Sequence, residues 1–243
     1  MSKNLNKKEI EKFSRQIILK NIGTIGQKKI LSSKVLIIGI GGLGCPVAEF
    51  LTRSGIGTLG IVDHDTISLS NIHRQSLYNE KDVNQSKVKV AKKKLNKINS
   101  KTKINIFNLK LNKTRFEKII KNYDYIVDGT DNFKSKFLIN DFSKNLRKIL
   151  IVGAIGRFDG HIFGFNFSKN TKKCLRSFYQ TVPNDDISSC EVDGVIGTVA
   201  GIVGNIQANE AIKYILSIGK CLNGEVLIIN LINLKFRICK LIN

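Results

Sequence analysis

Nowhere does the chain hold a long uninterrupted apolar run. Its first residues, "MSKNLNKKEIEKFSRQ", contain nothing that could serve as a signal peptide, and the longest apolar run further on is short and broken by glycine. A cytoplasmic protein with no membrane partner is the expectation. Cysteine is scarce and irregular: five residues (Cys45, Cys174, Cys190, Cys221 and Cys239) with no C-x-x-C pair. An odd count without regular spacing fits free thiols in a reducing compartment and excludes a disulfide framework. No G-x-x-x-x-G-K-[ST] stretch occurs, which argues against a P-loop NTPase. Internal repeats and low-complexity linkers are also lacking. Acidic residues are outnumbered, 19 against 40 basic ones, for a net charge of +21. Such a charge invites a nucleic-acid reading. Lysine outnumbers arginine 32 to 8, however, and the lysines are scattered instead of gathered into arms. A basic surface that steers an acidic protein partner is the better expectation.

What is present is an alternation of short apolar runs and amphipathic stretches. With 243 residues, 42% of them hydrophobic, the chain can bury one substantial core. A single domain over 1–243 is expected, with a polar helical arm in 1–31, a nucleotide-binding α/β part in 34–153 and a different pattern in 154–243. In the middle part "KVLIIG", "TLGIVDHD", "KINIFNL", "YDYIVDG" and "KILIVGA" read as strands. "PVAEFLTRSG" reads as a helix closed by glycine, and Val88, Ala91, Leu95 and Ile98 mark one face of another within 82–99. "DNFKSKFLINDFSKNL" supplies a further helix with Phe133, Phe137 and Phe142 inward. Strands alternating with helices imply a Rossmann-like, mostly parallel sheet with helices on both faces. Beyond residue 153 a hairpin around Asp159–Gly160, a polar stretch through 168–189, a long small-residue helix and closing antiparallel strands are expected.

The stretch "IIGIGGLGCPVAEFL", residues 37–51, carries the first chemistry. Gly39, Gly41 and Gly44 have the G-x-G-x-x-G spacing, which permits a tight turn and close approach of backbone to phosphate. The helix behind them favours anions at its N-terminus. Asp63 ends the next strand, where a carboxylate can accept from ribose hydroxyls. A nicotinamide dehydrogenase would use these features but leaves the rest of the set without a task. Asn71, Arg74, Gln75 and Lys87 follow, and Asp131 stands in "DGTDN" at a strand's carboxyl end. Several cations with one well-placed acid suit a triphosphate and its metal better than a dinucleotide's diphosphate.

"FSRQIIL", "VLIIGIGGLG", "GTLGIVDHDTISLSNIHRQ", "NQSKVKVA", "DGTDN" and "GVIGTVAGIVGNIQANEAIK" together resemble, in order and spacing, the ThiF/MoeB/HesA family of sulfur-carrier adenylyltransferases, relatives of ubiquitin-activating enzymes. The resemblance runs from about residue 10 to 240. It implies an enzyme that uses Mg-ATP to adenylate the C-terminal glycine of a small ubiquitin-like carrier ending in Gly-Gly, for thiamine or molybdopterin synthesis, with release of pyrophosphate. It places Gly41 and Gly42 against the phosphates, Asp63 on the ribose, Asn71, Arg74 and Lys87 on the triphosphate, and Asp131 on magnesium. It implies a homodimer in which Arg15 acts in trans. Cys190 matches a family cysteine that some members use covalently; covalent chemistry and a plain loop cysteine both stay open for it. The chain departs from the family at the zinc site. Ser177 stands three residues after Cys174, the chain ends four residues after Cys239, and no structural zinc is expected. Within the same superfamily, a tRNA-directed carboxylate-activating enzyme or a catalytically inactive binding subunit are the alternatives. The three histidines, His64, His73 and His161, have no catalytic task in this chemistry.

Overall fold

A computed structural model describes residues 4–169, 171–179, 181 and 194–241. The N-terminal arm comprises α1 (Lys7–Lys12), α2 (Ser14–Ile17) and α3 (Gly23–Ser32). Asn6 and Glu9 cap α1 reciprocally, each side chain accepting from the other's backbone amide at 2.9 Å. The expected helical lead-in is thus broken into pieces, and Phe13 is the reason. Its ring is buried against Gly55, where a Cβ would stand 2.5 Å from Phe13 Cζ, and the chain turns at Phe13 to deliver it there.

The main body runs β1 (Lys34–Ile38), α4 (Gly44–Ser54), β2 (Thr58–Asp63), α5 (Lys87–Ile98), β3 (Lys103–Asn108), α6 (Lys113–Ile120), β4 (Tyr125–Asp128), α7 (Phe133–Asn145), β5 (Ile149–Gly156) and β6 (Asp159–Asn166). It closes with α8 (Gly197–Leu216), β7 (Glu225–Asn230) and β8 (Lys235–Lys240). All eight strands form one sheet in the order β3-β2-β1-β4-β5-β6-β7-β8. The pairs from β3 to β5 are parallel and those from β5 to β8 antiparallel, the α/β architecture expected from the sequence.

Alternation along the buried strands divides the core in two. Val35 and Ile37 pack with α4, α5 and α8, while Leu36 and Ile38 face the cluster built with α6 and α7. Helix α6 was not anticipated: its apolar face is only Phe116, Ile119 and Ile120, with Asn112 accepting from Arg115 N at its start. On α7, Phe137 is buried, whereas Phe133 and Phe142 are only half-buried.

The β5–β6 hairpin corrects the sequence reading by two residues. Gly156 pairs with Asp159, so the turn is Arg157–Phe158, with Arg157 at φ 53°, and Asp159 and Gly160 belong to the strand. Gly160 is there because α8 crosses it; a Cβ would lie 2.4 Å from Val203 Cγ2. The small residues of α8 do the same toward α4, since a Cβ at Gly204 would meet Pro46 Cγ at 2.5 Å. Among the described residues, no helix is long and apolar enough to cross a membrane.

Gly164, on β6 away from the cleft described below, faces backbone instead of a yielding side chain, with 2.1 Å between its Cβ position and Leu222 O. Gly164→Ala is expected to lower the stability by about 1–3 kcal/mol through overpacking. The check is the urea midpoint at unchanged m.

Candidate functional site

Strand order reverses between β1 and β4, and a cleft of about 1610 Å³ opens outside their carboxyl ends. Its floor is the turn from β1 into α4. Gly39 has φ +86°, and a Cβ on it would lie 2.8 Å from Gly129 O. Gly44 is tighter still, its Cβ position being 2.0 Å from Gly39 O. Glycine is required at both by this close approach. No side chain caps α4 at Leu43, so the positive end of the helix is left for a ligand beside Gly41 and Gly42.

Gly39, Gly41, Gly42, Asp63, Asn71, Arg74, Gln75, Lys87 and Asp131 all line this cleft, and Gly44 lies beneath it. Asp63 has two roles. Its Oδ2 accepts from Ile40 N at 2.8 Å and its Oδ1 from Asp65 N at 2.9 Å, tying β2 to the glycine turn. Each carboxylate oxygen keeps a further lone pair for a hydrogen-bond donor. Lys87, buried at the start of α5, donates to Asp65 Oδ2 at 2.8 Å. Arg74 Nη1 donates to Ser70 O at 2.7 Å and stands 2.8 Å from His73 Nε2. Asn71 spends its Oδ1 on Ser68 N. Gln75 is 3% exposed, and its Oε1 has no hydrogen-bond partner in the structure. Its Nε2 is the atom nearest the glycine turn, 3.5 Å from where a Cβ on Gly41 would stand.

Asp131 is exposed at the opposite wall, its Oδ1 accepting from Asn132 Nδ2 at 3.3 Å. Asp63, His64 and Asp65 bring ligand atoms within 4.8 Å of one another. In this cluster Lys87 pairs with Asp65. His161 lies on the far wall, its pKa lowered by burial and only partly raised again by Asp159. Arg15 is exposed on α2 and is not among the residues that line the cleft. Cys190 lies outside the described residues.

Several functional neighbours escaped the sequence reading. The loop 109–113 forms one wall. Tyr78 donates from its buried hydroxyl toward Ile40 O at 3.0 Å and Lys87 O at 3.2 Å, linking the glycine turn to Lys87. Asp128 and Lys136 lie behind Asp131. A lysine between apolar residues on the inward face of a helix was the available signal for Lys136.

The strand order and the glycine turn at its reversal define a doubly wound α/β protein with a cleft at its switch point. The sequence pattern of the ThiF family matches residues 13–243, and the chain belongs to that family. It is 38% identical over 238 residues to a protein of Gracilaria tenuistipitata var. liui named "Probable molybdopterin-synthase adenylyltransferase", covering 98% of this chain and 66% of the relative. A Thermus thermophilus protein named "Sulfur carrier protein adenylyltransferase" is 35% identical, with 95% of this chain and 87% of that one covered. The crystal structure of E. coli MccB with ATP superposes with a TM-score of 0.83 at 22% identity, over 98% of this chain and 72% of that one. This last likeness concerns the fold. The chain spans between about half and two thirds of the length of most of the curated relatives it matches.

Cys45 lies buried under the glycine turn, its Sγ 3.4 Å from Ile40 O, and burial pushes its thiol up to about 12. At pH 8 native Cys45 is therefore expected to alkylate at least ~100-fold more slowly than in urea. Peptide mass analysis after timed iodoacetamide treatment checks this.

Proposed function

We propose that this protein is an ATP-dependent adenylyltransferase that activates the C-terminal glycine carboxylate of a small ubiquitin-like sulfur carrier. The observation that carries the reading is the cleft itself. The glycine turn, Asp63, Arg74, Lys87 and the exposed Asp131 line one space in a ThiF family chain. At about 1610 Å³ that space exceeds the roughly 300–1,000 Å³ of ordinary small-ligand pockets, which leaves room for a second reactant. The relatives' names support a sulfur carrier, two of them naming molybdopterin synthase; a carrier of the thiamine type belongs to the same proposal.

A carrier's terminal carboxylate has a reference pKa near 3.5, so it is ionised at neutral pH and needs no general base. One carboxylate oxygen attacks the α-phosphorus, the bond to the bridging oxygen breaks, and pyrophosphate leaves with the electron pair. The protein's task is alignment and charge neutralisation. The amides of Gly41 and Gly42 cradle phosphate oxygens, Asp63 fixes the ribose, and Asn71 and Gln75 offer polar contacts. Lys87 and Arg74 exchange their present partners, Asp65 and His73, for phosphate oxygens. Asp131 would hold magnesium, which when bound neutralises part of the triphosphate charge.

Arg15 fits a role in trans. The arm around it exposes Ile18, Leu19 and Ile25, each more than half exposed, an apolar surface that a second copy of this chain would cover. On β8 the edge of the sheet exposes Phe236 and Ile238, which supports docking of a protein partner. A cytoplasmic setting agrees with the free thiols of Cys45, Cys174, Cys221 and Cys239. The reading includes no structural zinc. Ser177 Oγ accepts from Cys174 N at 3.2 Å where a further thiolate would be needed, and zinc in stoichiometric amount would overturn this point.

The test is ATP–pyrophosphate exchange with magnesium and candidate carriers ending in Gly-Gly. Exchange dependent on one carrier is expected. Arg74→Ala and Asp131→Ala should each lower it by roughly 10²-fold, while Cys190→Ala should retain it, because the adenylation step uses no thiol. ATP binding without exchange, for any carrier, would overturn the assignment. For Arg15, mixing the inactive Arg15→Ala and Asp131→Ala proteins should restore about a quarter of wild-type exchange, since half the dimers then hold one intact site. No recovery after verified subunit exchange would exclude action in trans.

A further inference from the structure

The acid expected to hold magnesium stands on a loop that is tied at its base by a buried ion pair. Asp128 ends β4 fully buried, and its Oδ1 accepts from Thr130 N at 2.9 Å and from Thr130 Oγ1 at 2.7 Å. Its carbonyl accepts from Gln207 Nε2 of α8 at 2.9 Å. Two residues beyond Thr130, Asn132 starts α7 by accepting from Ser135 N at 2.9 Å. Asp131 is the residue between them. One turn into α7, Lys136 reaches back under the loop: its Nζ donates to Gly153 O at 2.6 Å and lies 3.4 Å from Asp128 Oδ2. Lys136 is 4% exposed; it lies in the lining of the cleft, and its ammonium is bonded to the strand ends.

A lysine whose charge was wanted only for attracting phosphate would gain nothing from this position. Burying an ammonium and a carboxylate is costly, and an apolar pair would pack β4 against α7 as well or better. What an ion pair adds is direction. The Lys136 ammonium holds Asp128 in one rotamer, Asp128 holds the backbone amide and hydroxyl of Thr130, and Thr130 is bonded to Asp131. We propose that Lys136 is a positioning residue for the adenylation site, setting through Asp128 and Thr130 where the Asp131 carboxylate stands toward the metal. The proposal rests on the reading of Asp131 as the magnesium-holding acid.

Outer-shell partners of metal ligands change metal affinity when they are lost, and that is the readout. Mn²⁺ binding is followed by EPR in the presence of a non-hydrolysable ATP analogue, beside the magnesium dependence of exchange and the KM for ATP. Lys136→Met alone strands the Asp128 carboxylate and threatens folding, so the informative variants are Thr130→Val and the double replacement Lys136→Met with Asp128→Asn. Both are expected to weaken Mn²⁺ binding by about 10-fold while the KM for ATP changes by less than about 3-fold, and Lys136→Arg to retain near wild-type binding. Folded variants with wild-type Mn²⁺ affinity would overturn the proposal, as would losses that merely track the unfolded fraction seen by circular dichroism. Asp131→Ala is the control that separates the two levels. If it leaves Mn²⁺ affinity unchanged, the metal assignment itself fails; if it abolishes binding while the Thr130 and Lys136 variants do not, only the positioning role fails.

Discussion

Everything at the site depends on how closely the backbone at the end of β1 approaches the backbone at the end of β4. A Cβ on Gly39 would meet Gly129 O at 2.8 Å, one on Gly129 would meet Gly39 O at 3.1 Å, and one on Gly44 would overlap Gly39 O at 2.0 Å. With glycine at these points the chain leaves β1, reverses within the turn and enters α4 with its first amides uncapped. Any side chain would push the two strand ends apart and tilt the helix. The cleft is therefore as much a consequence of missing side chains as of present ones.

Charge at the cleft is held in reserve. Lys87 rests on Asp65, and Arg74 on Ser70 O and His73. Asp65 and His73 are exposed, so the net strength of such pairings is small and a multiply charged phosphate can displace them at little cost. Lys136 differs in kind. Its partners, Asp128 and Gly153 O, are buried, and no ligand displaces an ion pair from that depth without leaving a carboxylate unpaired. One set of cations is thus available to a ligand and the other to the scaffold that aims Asp131. Lys87 and Lys136 are both buried, so what separates them is the exposure of their partners, Asp65 exposed and Asp128 fully buried.

Local pattern made much of the fold legible. The strands of the parallel half are short apolar runs bounded by glycine or charge, and α4, α5 and α8 carry enough turns for their periodicity to stand out. Helix α6 escaped because three apolar residues within a lysine-rich stretch are too few to define a period. The Asp159–Gly160 pair has the composition of a turn, yet both residues lie in β6, since Val203 of α8 needs the space that glycine leaves. The arm was expected to be helical without any break being placed in it; it is interrupted at Phe13, whose burial against Gly55 outweighs helix continuity. In the last two cases a tertiary contact prevailed over a local preference.

By itself the sequence determined the chemistry on offer: a glycine turn, an acid at the end of the next strand, Arg74, Lys87 and Asp131 in a fixed order, and no pair of cysteines spaced for zinc. Those properties depend on residue type and spacing, which are local. Only the tertiary structure decided which charges face the cleft and which serve the frame. That division separates Lys87 from the surface lysines of α5, puts Lys136 beneath Asp131, and leaves Arg15 outside the cleft of its own chain. Burial, and with it the strength and permanence of an ion pair, is set by elements far apart in sequence: Gly153 and Asp128 come from different strands, and Gln207 stands 79 residues after Asp128. No local pattern records that meeting.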